Sequence, residues 1–563
     1  MSDKKRVKLA ICWHMHQPEY RDLRTGEYKL PWTYLHVIKD YIDMVVHLEN
    51  RPTAKVTVNF APILLEQIED YAKQVQAYLQ DGTTIRDPLL AALVSRTVPA
   101  TPDERRKLIK DCLRANRTHQ INRYPYFLKL VEMAEWLDKH NEALNYINSQ
   151  YLADLLVWYH LAWMGETVKE SDRRIKRLLE KGWGYTLHER TEILEVIGEL
   201  LSTVIRRYKA LAKRGQIELS VTPYAHPIMP LLLDIKSAHQ AWPHATLPKL
   251  DQYPGGKERV QWHIDHGIET FKRFFGYMPA GCWPSEGSVS FETLQMLAAA
   301  GFKWAASGGS VLHNSLNRSG MGGASVHHPF MVQGAEPLVC FFRDDGLSDL
   351  IGFEYSKWHA DDAVADLIHH IENIRNNLSE DGVISIIMDG ENAWEYFPAN
   401  GSFFITGLYR RLAEHPGIEM VTFSECVQRK LTITKLPQLV AGSWVYGTFS
   451  TWIGDADKNR GWEMLGDAKH CFNKIVSSGR LSPERLQKAE LQLAICEGSD
   501  WFWWFGDYNP EEAVSNFERQ FRLNLANLYA LLGEEPPAYL ALSFTQGSGI
   551  PAMGGTMRPG RQD

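Results

Sequence analysis

Two acidic side chains in the sequence are placed to act together on one bond. Asp389 ends the apolar run 383–388, and Glu286 follows the shorter run 280–283. Each run has the composition and length of a buried strand. Two carboxyl groups are the minimum set for cleaving a glycosidic bond, because one attacks or orients water and the other protonates the leaving oxygen. An ordinary salt bridge is the alternative explanation for either acid.

Polar side chains also follow most of the other strand-like runs. The eight runs are 7–13, 55–60, 217–221, 280–283, 302–306, 338–342, 383–388 and 420–423. Helical patterns separate several of them, which predicts a parallel sheet with right-handed crossovers. Parallel strands end at one edge, so we expect the polar side chains to converge there. Besides the two acids these are His14, His16, Thr222, Tyr224, His226, Ser307, Arg343, Asp344, Glu391 and Glu425.

The regular alternation of strands and helices favours a TIM-type α/β barrel, or a near relative with one strand missing. A doubly wound open sheet is the alternative. The first strand is not followed by the glycine-rich pattern G-x-G-x-x-G that dinucleotide-binding sheets of that kind carry. We therefore predict that the converging side chains form the mouth of a catalytic barrel.

The pair His14 and His16 permits a second interpretation of this mouth. An H-x-H sequence at the end of the first strand can hold a divalent metal ion, and His226 and Asp389 could complete the site. Recognition of sugar hydroxyls is the commoner need in a site rich in tryptophan and carboxylate, so we expect no metal and no cofactor. His14 could also be a structural histidine.

The composition restricts the class of protein. The 563 residues are enough for two to four domains. A net charge of −7 argues against nucleic acid or an anionic membrane as the main partner. The seven cysteines are scattered without a C-x-x-C pair, which predicts reduced thiols. With no signal-peptide pattern and no membrane-length apolar run, we expect a cytoplasmic protein.

Changes in composition and in the spacing of apolar residues along the chain predict its domains. Residues 1–435 contain the strand-like runs, interrupted from about 63 to 212 by helical patterns that we interpret as an insertion at the barrel. Residues 436–544 are again helical and predict a C-terminal helical domain. Residues 545–563 are rich in glycine, proline and serine, which predicts a flexible tail.

Several motifs, in order along the chain, resemble those of glycoside hydrolase family 57. That family contains α-amylases, amylopullulanases, 4-α-glucanotransferases and one class of glycogen branching enzyme. The matching segments are His16-Gln17-Pro18, Gly215-Gln216-Ile217-Glu218 with His226-Pro227, Trp283-Pro284-Ser285-Glu286, Asp389-Gly390-Glu391-Asn392 with Trp394, and Gly442-Ser443-Trp444 with Ser450-Thr451-Trp452-Ile453-Gly454. The aromatic segment 497–507 is also similar to one in amylase and amylopullulanase members.

The resemblance implies an incomplete barrel of seven strands, so that either 420–423 or 302–306 would be peripheral. It also implies that the helical C-terminal domain, 436–544, completes the substrate cleft. It implies a retaining mechanism on α-glucans, with Glu286 as the nucleophile and Asp389 as the general acid/base. It also implies substrate subsites, which would be lined by His16, Glu218, His226, Trp283, Glu391, Trp394, Trp452 and Asp455.

We therefore predict a retaining hydrolase of α-1,4 or α-1,6 glucosidic bonds that takes α-glucans or maltooligosaccharides as substrates. The principal alternative is transfer to a sugar acceptor, as in a 4-α-glucanotransferase or a branching enzyme. Two remoter alternatives are a metal-dependent barrel hydrolase and a catalytically silent glucan-binding protein. The oligomeric state is left open by the sequence.

Overall fold

The computed structural model describes residues 6–97, 99–378, 382–429 and 431–549. Ten strands form one sheet in the order β10-β6-β7-β5-β4-β3-β2-β1-β8, and β9 pairs with β1. The strands are β1 Val7–Met15, β2 Val56–Phe60, β3 Ile217–Val221, β4 Gly281–Cys282, β5 Trp304–Ser307, β6 Phe330–Val332, β7 Val339–Phe342, β8 Val383–Asp389, β9 Ile418–Val421 and β10 Thr434–Leu436.

Seven parallel strands, from β8 through β1, β2, β3, β4 and β5 to β7, curl into an incomplete (β/α)7 barrel. The N–H of Asp344, just after β7, donates to the carbonyl of Ser385 in β8 at 2.8 Å. Every residue of β1 and of β8 is buried, as expected for strands covered on both faces. The predicted fold class is therefore confirmed.

The eighth predicted run is the peripheral one. Strand β9 pairs with the beginning of β1, Val7 to Ala10, while β2 pairs with the end of β1 from Cys12. Of the two candidates for a peripheral strand, the structure therefore selects 420–423 rather than 302–306. Strands β6 and β10 have only three residues each, too few to show a period in the sequence, and were not predicted.

The α-helices include those of the predicted helical stretches, from about 63 to 212 and after residue 436. They are α1 Trp32–His36, α2 Ile42–Glu49, α3 Pro62–Asp81, α4 Pro88–Val94, α5 Pro102–Asp111, α6 Pro125–Lys139, α7 Ser149–Trp163, α8 Glu166–Ser171, α9 Arg173–Lys181, α10 Leu187–Lys213, α11 Met229–Leu233, α12 Gly256–Phe275, α13 Phe291–Ala299, α14 Gly309–Ser319, α15 Asp345–Asp349, α16 Ala360–Asn377, α17 Ser402–Glu414, α18 Phe423–Gln428, α19 Ala456–Ser477, α20 Pro483–Cys496, α21 Ser499–Trp504 and α22 Glu511–Leu532.

Helices α3 to α10 fill the stretch between β2 and β3, where the sequence predicts a helical insertion from about 63 to 212. Side chains near the N-termini of these helices accept hydrogen bonds from the first backbone N–H groups. Thr101 and Glu104 form a reciprocal capping box on α5, and the Asp172 carboxylate accepts from two N–H groups at the start of α9. Such caps satisfy N–H groups that have no partner within the helix.

A buried ionic cluster joins the C-terminal helices to the barrel. The carboxylate of Glu497, at the end of α20, accepts hydrogen bonds from Tyr253, Arg259 and His263 at 2.6–3.0 Å. His263 and Arg259 belong to α12, the helix that precedes β4. The next helix, α21, begins at Ser499, so this cluster fixes where α21 begins at the barrel mouth.

The beginning of the predicted flexible tail contacts the loop after α21. Thr545 accepts a hydrogen bond from the N–H of Gly506, and the N–H groups of Ser548 and Gly549 donate to the carbonyls of Asp507 and Asn509. These contacts place 545–549 against the loop after α21. The rest of the predicted tail lies outside the described residues.

All seven cysteines are free, and six of them are buried. In the described part of the chain, none of the helices combines the length and the apolar character needed to cross a membrane.

Candidate active site

A cavity of about 680 Å³ lies at the carboxyl ends of the barrel strands. Its walls come from three parts of the chain. The barrel contributes His14, His16, His226, Glu286, Arg343, Asp389 and Glu391; the long segments before β3 contribute Trp32, His36, Arg114 and Trp163; and the C-terminal region contributes Trp444, Asp500, Trp503, Trp504, Tyr508 and Phe517. A cavity of this size, with apolar walls and a few convergent polar groups, is typical of a small-molecule site.

Glu286 lies in a tight turn just after β4. Its backbone has φ 56° and ψ 25°, in the left-handed region that non-glycine residues rarely adopt. Such a conformation costs about 1–3 kcal/mol and is concentrated at functional sites. Trp444 holds the residue twice: its main-chain N–H donates to the Glu286 carbonyl at 3.1 Å, and its indole Nε1 donates to Oε2 at 2.9 Å.

Asp389 is the last residue of β8 and lies beside His14 in the ladder between β8 and β1. Its Oδ2 accepts a hydrogen bond from the Asn392 amide at 2.8 Å. The chain turns at Gly390, whose N–H donates to the His14 carbonyl at 2.7 Å. A Cβ at Gly390 would lie 2.2 Å from the sulfur of Met15, so glycine permits this close crossing.

Three histidines occupy one side of the cavity. His14 Nδ1 is 2.7 Å from Asn59 Oδ1, and His14 Nε2 is 3.2 Å from His226 Nε2. The ring of His16 stacks on that of His226 with centroids 3.8 Å apart. His226 also has a left-handed backbone, and its Nδ1 is 3.8 Å from Glu286 Oε1. The imidazoles are thus next to the candidate nucleophile.

The C-terminal helices contribute two polar groups that the sequence interpretation did not assign to the site. Asp500 lies 2.9 Å from His16 Nε2, and Ser499 Oγ lies 2.8 Å from His226 Nδ1. Their segment was recognised only as an aromatic cluster, because its polar residues have no strand periodicity to place them. Trp444 is part of a motif named in the sequence analysis. It received no role in the site because no periodic pattern in its segment places its side chain at the cavity.

Burial dominates the electrostatics of the cavity. It raises the pKa of Asp389 to about 6. It also raises the pKa of Glu286 well above its usual value, with the negative charges of Asp500 and Asp389 acting in the same direction and the Trp444 hydrogen bond opposing them. Below about pH 6 Asp389 therefore retains its proton. Burial of cations works in the opposite sense, because it lowers the pKa of His14 to about 3 and that of His226 well below its usual value.

Glu391 is a third buried carboxyl at the cavity. Its Oε1 accepts hydrogen bonds from the His16 N–H at 3.2 Å and from the Gln17 amide at 3.3 Å. Burial and the charge of Asp389 raise its pKa well above the usual value. Glu391 therefore connects the loop after β8 with the loop after β1.

The structure brings five of the predicted site residues to the cavity: Glu286, Asp389, His16, His226 and Glu391. Trp283, Trp394 and Trp452 are not among the described cavity residues and are at most 1% exposed. They support the site from behind. Trp283 packs on Trp444 at 5.3 Å, Trp394 donates to the Gly390 carbonyl, and Trp452 packs on Trp503 at 5.8 Å.

Two acidic residues that were predicted to line the substrate subsites, Asp455 and Glu218, lie outside the cavity. Asp455 caps α19 by accepting from the N–H groups of Asp457 and Lys458. Glu218 accepts from Trp304 and from Ser424 within the barrel, so it ties α18 to the strands instead of facing the cavity. Its position inside a strand is the reason, since its side chain alternates toward neighbouring elements.

An incomplete parallel barrel with carboxyl groups, imidazoles and aromatic walls at its carboxyl end has the features of a barrel enzyme's active site. The model of glycosyl hydrolase family 57 matches residues 10–439, and the chain belongs to that family. Its members are glycoside hydrolases and transglycosidases, so the protein is an enzyme of this class. No curated protein matches the chain significantly.

Solved structures share the fold at low sequence identity. An α-amylase from Thermotoga maritima superposes with a TM-score of 0.57 at 14% identity, over 94% of each chain. A branching enzyme from Pyrococcus horikoshii gives 0.56 at 16% identity, over 95% of this chain and 93% of that one. A branching enzyme from Thermococcus kodakaraensis, in complex with glucose and additives, gives 0.55 at 16% identity, over 96% and 92%.

Proposed function

We propose that this enzyme is a retaining glycoside hydrolase that cleaves α-1,4 or α-1,6 bonds of α-glucans, with Glu286 as the nucleophile and Asp389 as the general acid/base. One observation carries the proposal: both carboxyls line one cavity at the ends of two barrel strands, close enough for the charge of Asp389 to act on Glu286. The α-amylase and the branching enzymes that share the fold support glucans as the substrate class.

In the first step an oxygen of Glu286 attacks the anomeric carbon, and the bond from that carbon to the glycosidic oxygen breaks. Asp389 gives its proton to the leaving oxygen, so a covalent glycosyl-enzyme and a free sugar hydroxyl result. Trp444 donates to Oε2 of Glu286, which stabilises the ionised nucleophile and leaves Oε1 to attack. Asp389, with its pKa raised to about 6, holds the proton that the acid role needs.

In the second step Asp389 removes a proton from water, the water oxygen attacks the anomeric carbon, and Glu286 leaves as a carboxylate. The sugar is released with its original anomeric configuration. His16, His226 and Glu391 surround the two carboxyls and supply hydrogen-bonding groups for sugar hydroxyls.

Transfer to a sugar acceptor is the second candidate, favoured by the C-terminal wall of the cavity. Trp503, Trp504, Tyr508 and Phe517 present aromatic surface there, on which an acceptor sugar can stack. Arg114 and Glu512 form a 3.0 Å ion pair at the same rim and join the helical insertion to α22. A sugar bound at this wall would compete with water for the glycosyl-enzyme.

The variants Glu286→Gln and Asp389→Asn test the assignment on maltooligosaccharides, on linear glucan and on pullulan. We expect both to lose turnover while their circular dichroism spectra and thermal midpoints stay close to wild type. Glu354→Gln, which changes an exposed acid paired with Lys357, is the matched control and keeps full activity. Full activity of either site variant would refute the assignment.

Product analysis decides the reaction. Proton NMR during the first turnovers should show the α-anomer of the product, whereas initial appearance of the β-anomer would contradict the retaining mechanism. Shorter sugars alone indicate hydrolysis. A ladder of longer sugars indicates transfer, and new branch points indicate a branching enzyme.

A further inference from the structure

The three histidines of the cavity have the spacing of a metal site. The ligand nitrogens of His14, His16 and His226 all lie within 4.8 Å of one another. His14 Nε2 and His226 Nε2 are 3.2 Å apart. Two imidazole nitrogens that each bind a tetrahedral zinc ion at about 2.0–2.1 Å are separated by about 3.3 Å. The distance between these two nitrogens therefore matches that of a pair sharing one ion. The ring of His16, which stacks on that of His226, must turn for its nitrogen to reach the same ion.

In His14 and His226 the nitrogen that faces away from the other ring, Nδ1, already has a hydrogen-bond partner that orients the ring. Asn59 Oδ1, 2.7 Å from His14 Nδ1, also accepts from Thr222, so it is the acceptor and His14 Nδ1 carries the proton. His14 Nε2 consequently presents a lone pair. Ser499 Oγ, 2.8 Å from His226 Nδ1, can accept from that ring in the same way. Metal-binding histidines usually donate their second N–H to such a partner.

The charges near the rings favour a cation. The Asp500 carboxylate lies 2.9 Å from His16 Nε2, and Glu286 lies 3.8 Å from His226 Nδ1. The nearby Arg343 guanidinium is engaged by Asp345 and Asp349 at 3.0 and 2.6 Å. Imidazole ligands select zinc, copper, nickel or cobalt, whereas magnesium and calcium prefer oxygen.

We propose that His14, His16 and His226 bind a divalent transition-metal ion, with Asp500 as the adjacent carboxylate, and that this ion and a sugar ring exclude each other from the cavity. The exclusion rests on the proposed function, because it assumes that the sugar beside Glu286 occupies the same imidazoles. Bound metal then acts as a competitive inhibitor, not as a cofactor.

Binding is tested on the full-length protein after removal of metal with a chelator. Titration with cobalt chloride should produce visible absorption bands of a low-symmetry cobalt site, and zinc content after gel filtration should reach one ion per chain. His16→Gln should abolish the cobalt bands, and Ser499→Ala should weaken binding by about 10- to 100-fold through loss of the orienting partner.

The double variant His369→Gln/His370→Gln is the matched control, since it removes two exposed neighbouring histidines of α16 and should titrate like wild type. Binding well below one ion per chain would overturn the metal site. A His16→Gln protein with unchanged cobalt bands, or a control that loses them, would do the same.

Exclusion is tested by kinetics and by competition. Zinc should raise KM without changing kcat, excess chelator should reverse the effect, and maltooligosaccharide should displace cobalt and bleach its bands. Loss of turnover on chelation with recovery on adding metal would overturn the inhibitory role. If the enzyme turned over no glucan, the proposed function would fail, while the cobalt bands and the stoichiometry would still decide the metal site.

Discussion

Trp444 binds Glu286 through both its indole and its main chain, with the indole Nε1 at 2.9 Å from Oε2 and the N–H at 3.1 Å from the carbonyl. Trp444 lies after the last strand, β10, so a segment outside the barrel holds the candidate nucleophile. Val289 and Gly442 exchange two further backbone hydrogen bonds next to this contact. The orientation of Glu286 thus depends on residues that approach it from the C-terminal region.

Trp444→Phe removes the indole hydrogen bond and keeps the main-chain one. A hydrogen bond to a charged group is worth about 1.5–3 kcal/mol, so we expect kcat to fall by about 10- to 100-fold. Because this hydrogen bond lowers the pKa of Glu286, its loss raises that pKa. The acidic limb of the kcat/KM profile should therefore move to higher pH.

Trp358→Phe, at a tryptophan that is 43% exposed, is the control and should leave both kcat and the pH profile unchanged. A Trp444→Phe enzyme whose activity falls with no movement of the acidic limb would show that the indole acts only by packing.

Gly308→Ala should shift the acidic limb of the pH profile as Trp444→Phe does, by displacing Trp444. Gly308 has an ordinary extended backbone, φ −72° and ψ 149°, so alanine causes no conformational strain there. Its Cβ would nevertheless lie 2.6 Å from the Cα of Trp444, and a backbone atom cannot yield as the tip of a side chain does. We expect Trp444 to shift, a stability loss of about 1–3 kcal/mol, and an acidic limb displaced in the same direction as in Trp444→Phe.

Gly322→Ala is the matched control, because a Cβ at Gly322 would have open space around it. Thermal unfolding and the pH profile of both variants provide the measurement. If Gly308→Ala destabilised the protein but left the acidic limb unchanged, the position of Trp444 would not control the pKa of Glu286.

Asp500→Asn should shift the whole pH profile. The negative charge of Asp500 raises the pKa of both Glu286 and Asp389. Its removal lowers both, so the ionised nucleophile persists to lower pH and the protonated acid is lost at lower pH. We expect both limbs of the kcat/KM profile to move toward acid. Asparagine keeps an oxygen that can accept from His16, and limbs that stay in place would contradict the electrostatic role.

The sequence was sufficient for the parts of this site that belong to repeated structure. Glu286 and Asp389 follow parallel strands, and the carboxyl ends of parallel strands meet in space whatever the loops do. The helical stretch from about 63 to 212 was predictable for a similar reason, since apolar period and capping residues such as Thr101 are local signals.

The tryptophans show where such reasoning stops. Trp283, Trp394 and Trp452 lie in motifs next to site residues, yet each is fully buried and supports a cavity residue from behind. A tryptophan has the same side chain whether it fills a core or faces a sugar, and motif position does not distinguish the two. Conversely, Ser499 and Asp500 reach the cavity only because α20 and α21 pack on the barrel, which is a long-range contact without a local pattern.

Glu497→Gln should destabilise the protein and disturb the site at once. Contacts with Arg259 and His263 outweigh burial and lower the pKa of Glu497 from its usual 4.5 to about 2. A carboxyl with a depressed pKa in the folded state stabilises the protein above the unfolded-state pKa, and this stability is lost as pH falls from about 4.5 toward 2. The shift corresponds to stability on the order of 3 kcal/mol at neutral pH, and leaving Arg259 buried without its partner costs a similar amount.

The measurement compares urea unfolding midpoints of wild type and Glu497→Gln between pH 7 and pH 3. We expect a large difference at pH 7 that narrows toward pH 3. At the lower pH the wild-type Glu497 carboxylate begins to take up a proton, and its stabilising charge is lost. Glu484→Gln, at an exposed acid paired with Lys488, should leave the midpoint unchanged at every pH. Since Ser499 and Asp500 follow Glu497 directly, KM for maltooligosaccharides should also rise in the folded variant. A difference in midpoint that does not depend on pH would show that Glu497 contributes by shape and not by charge.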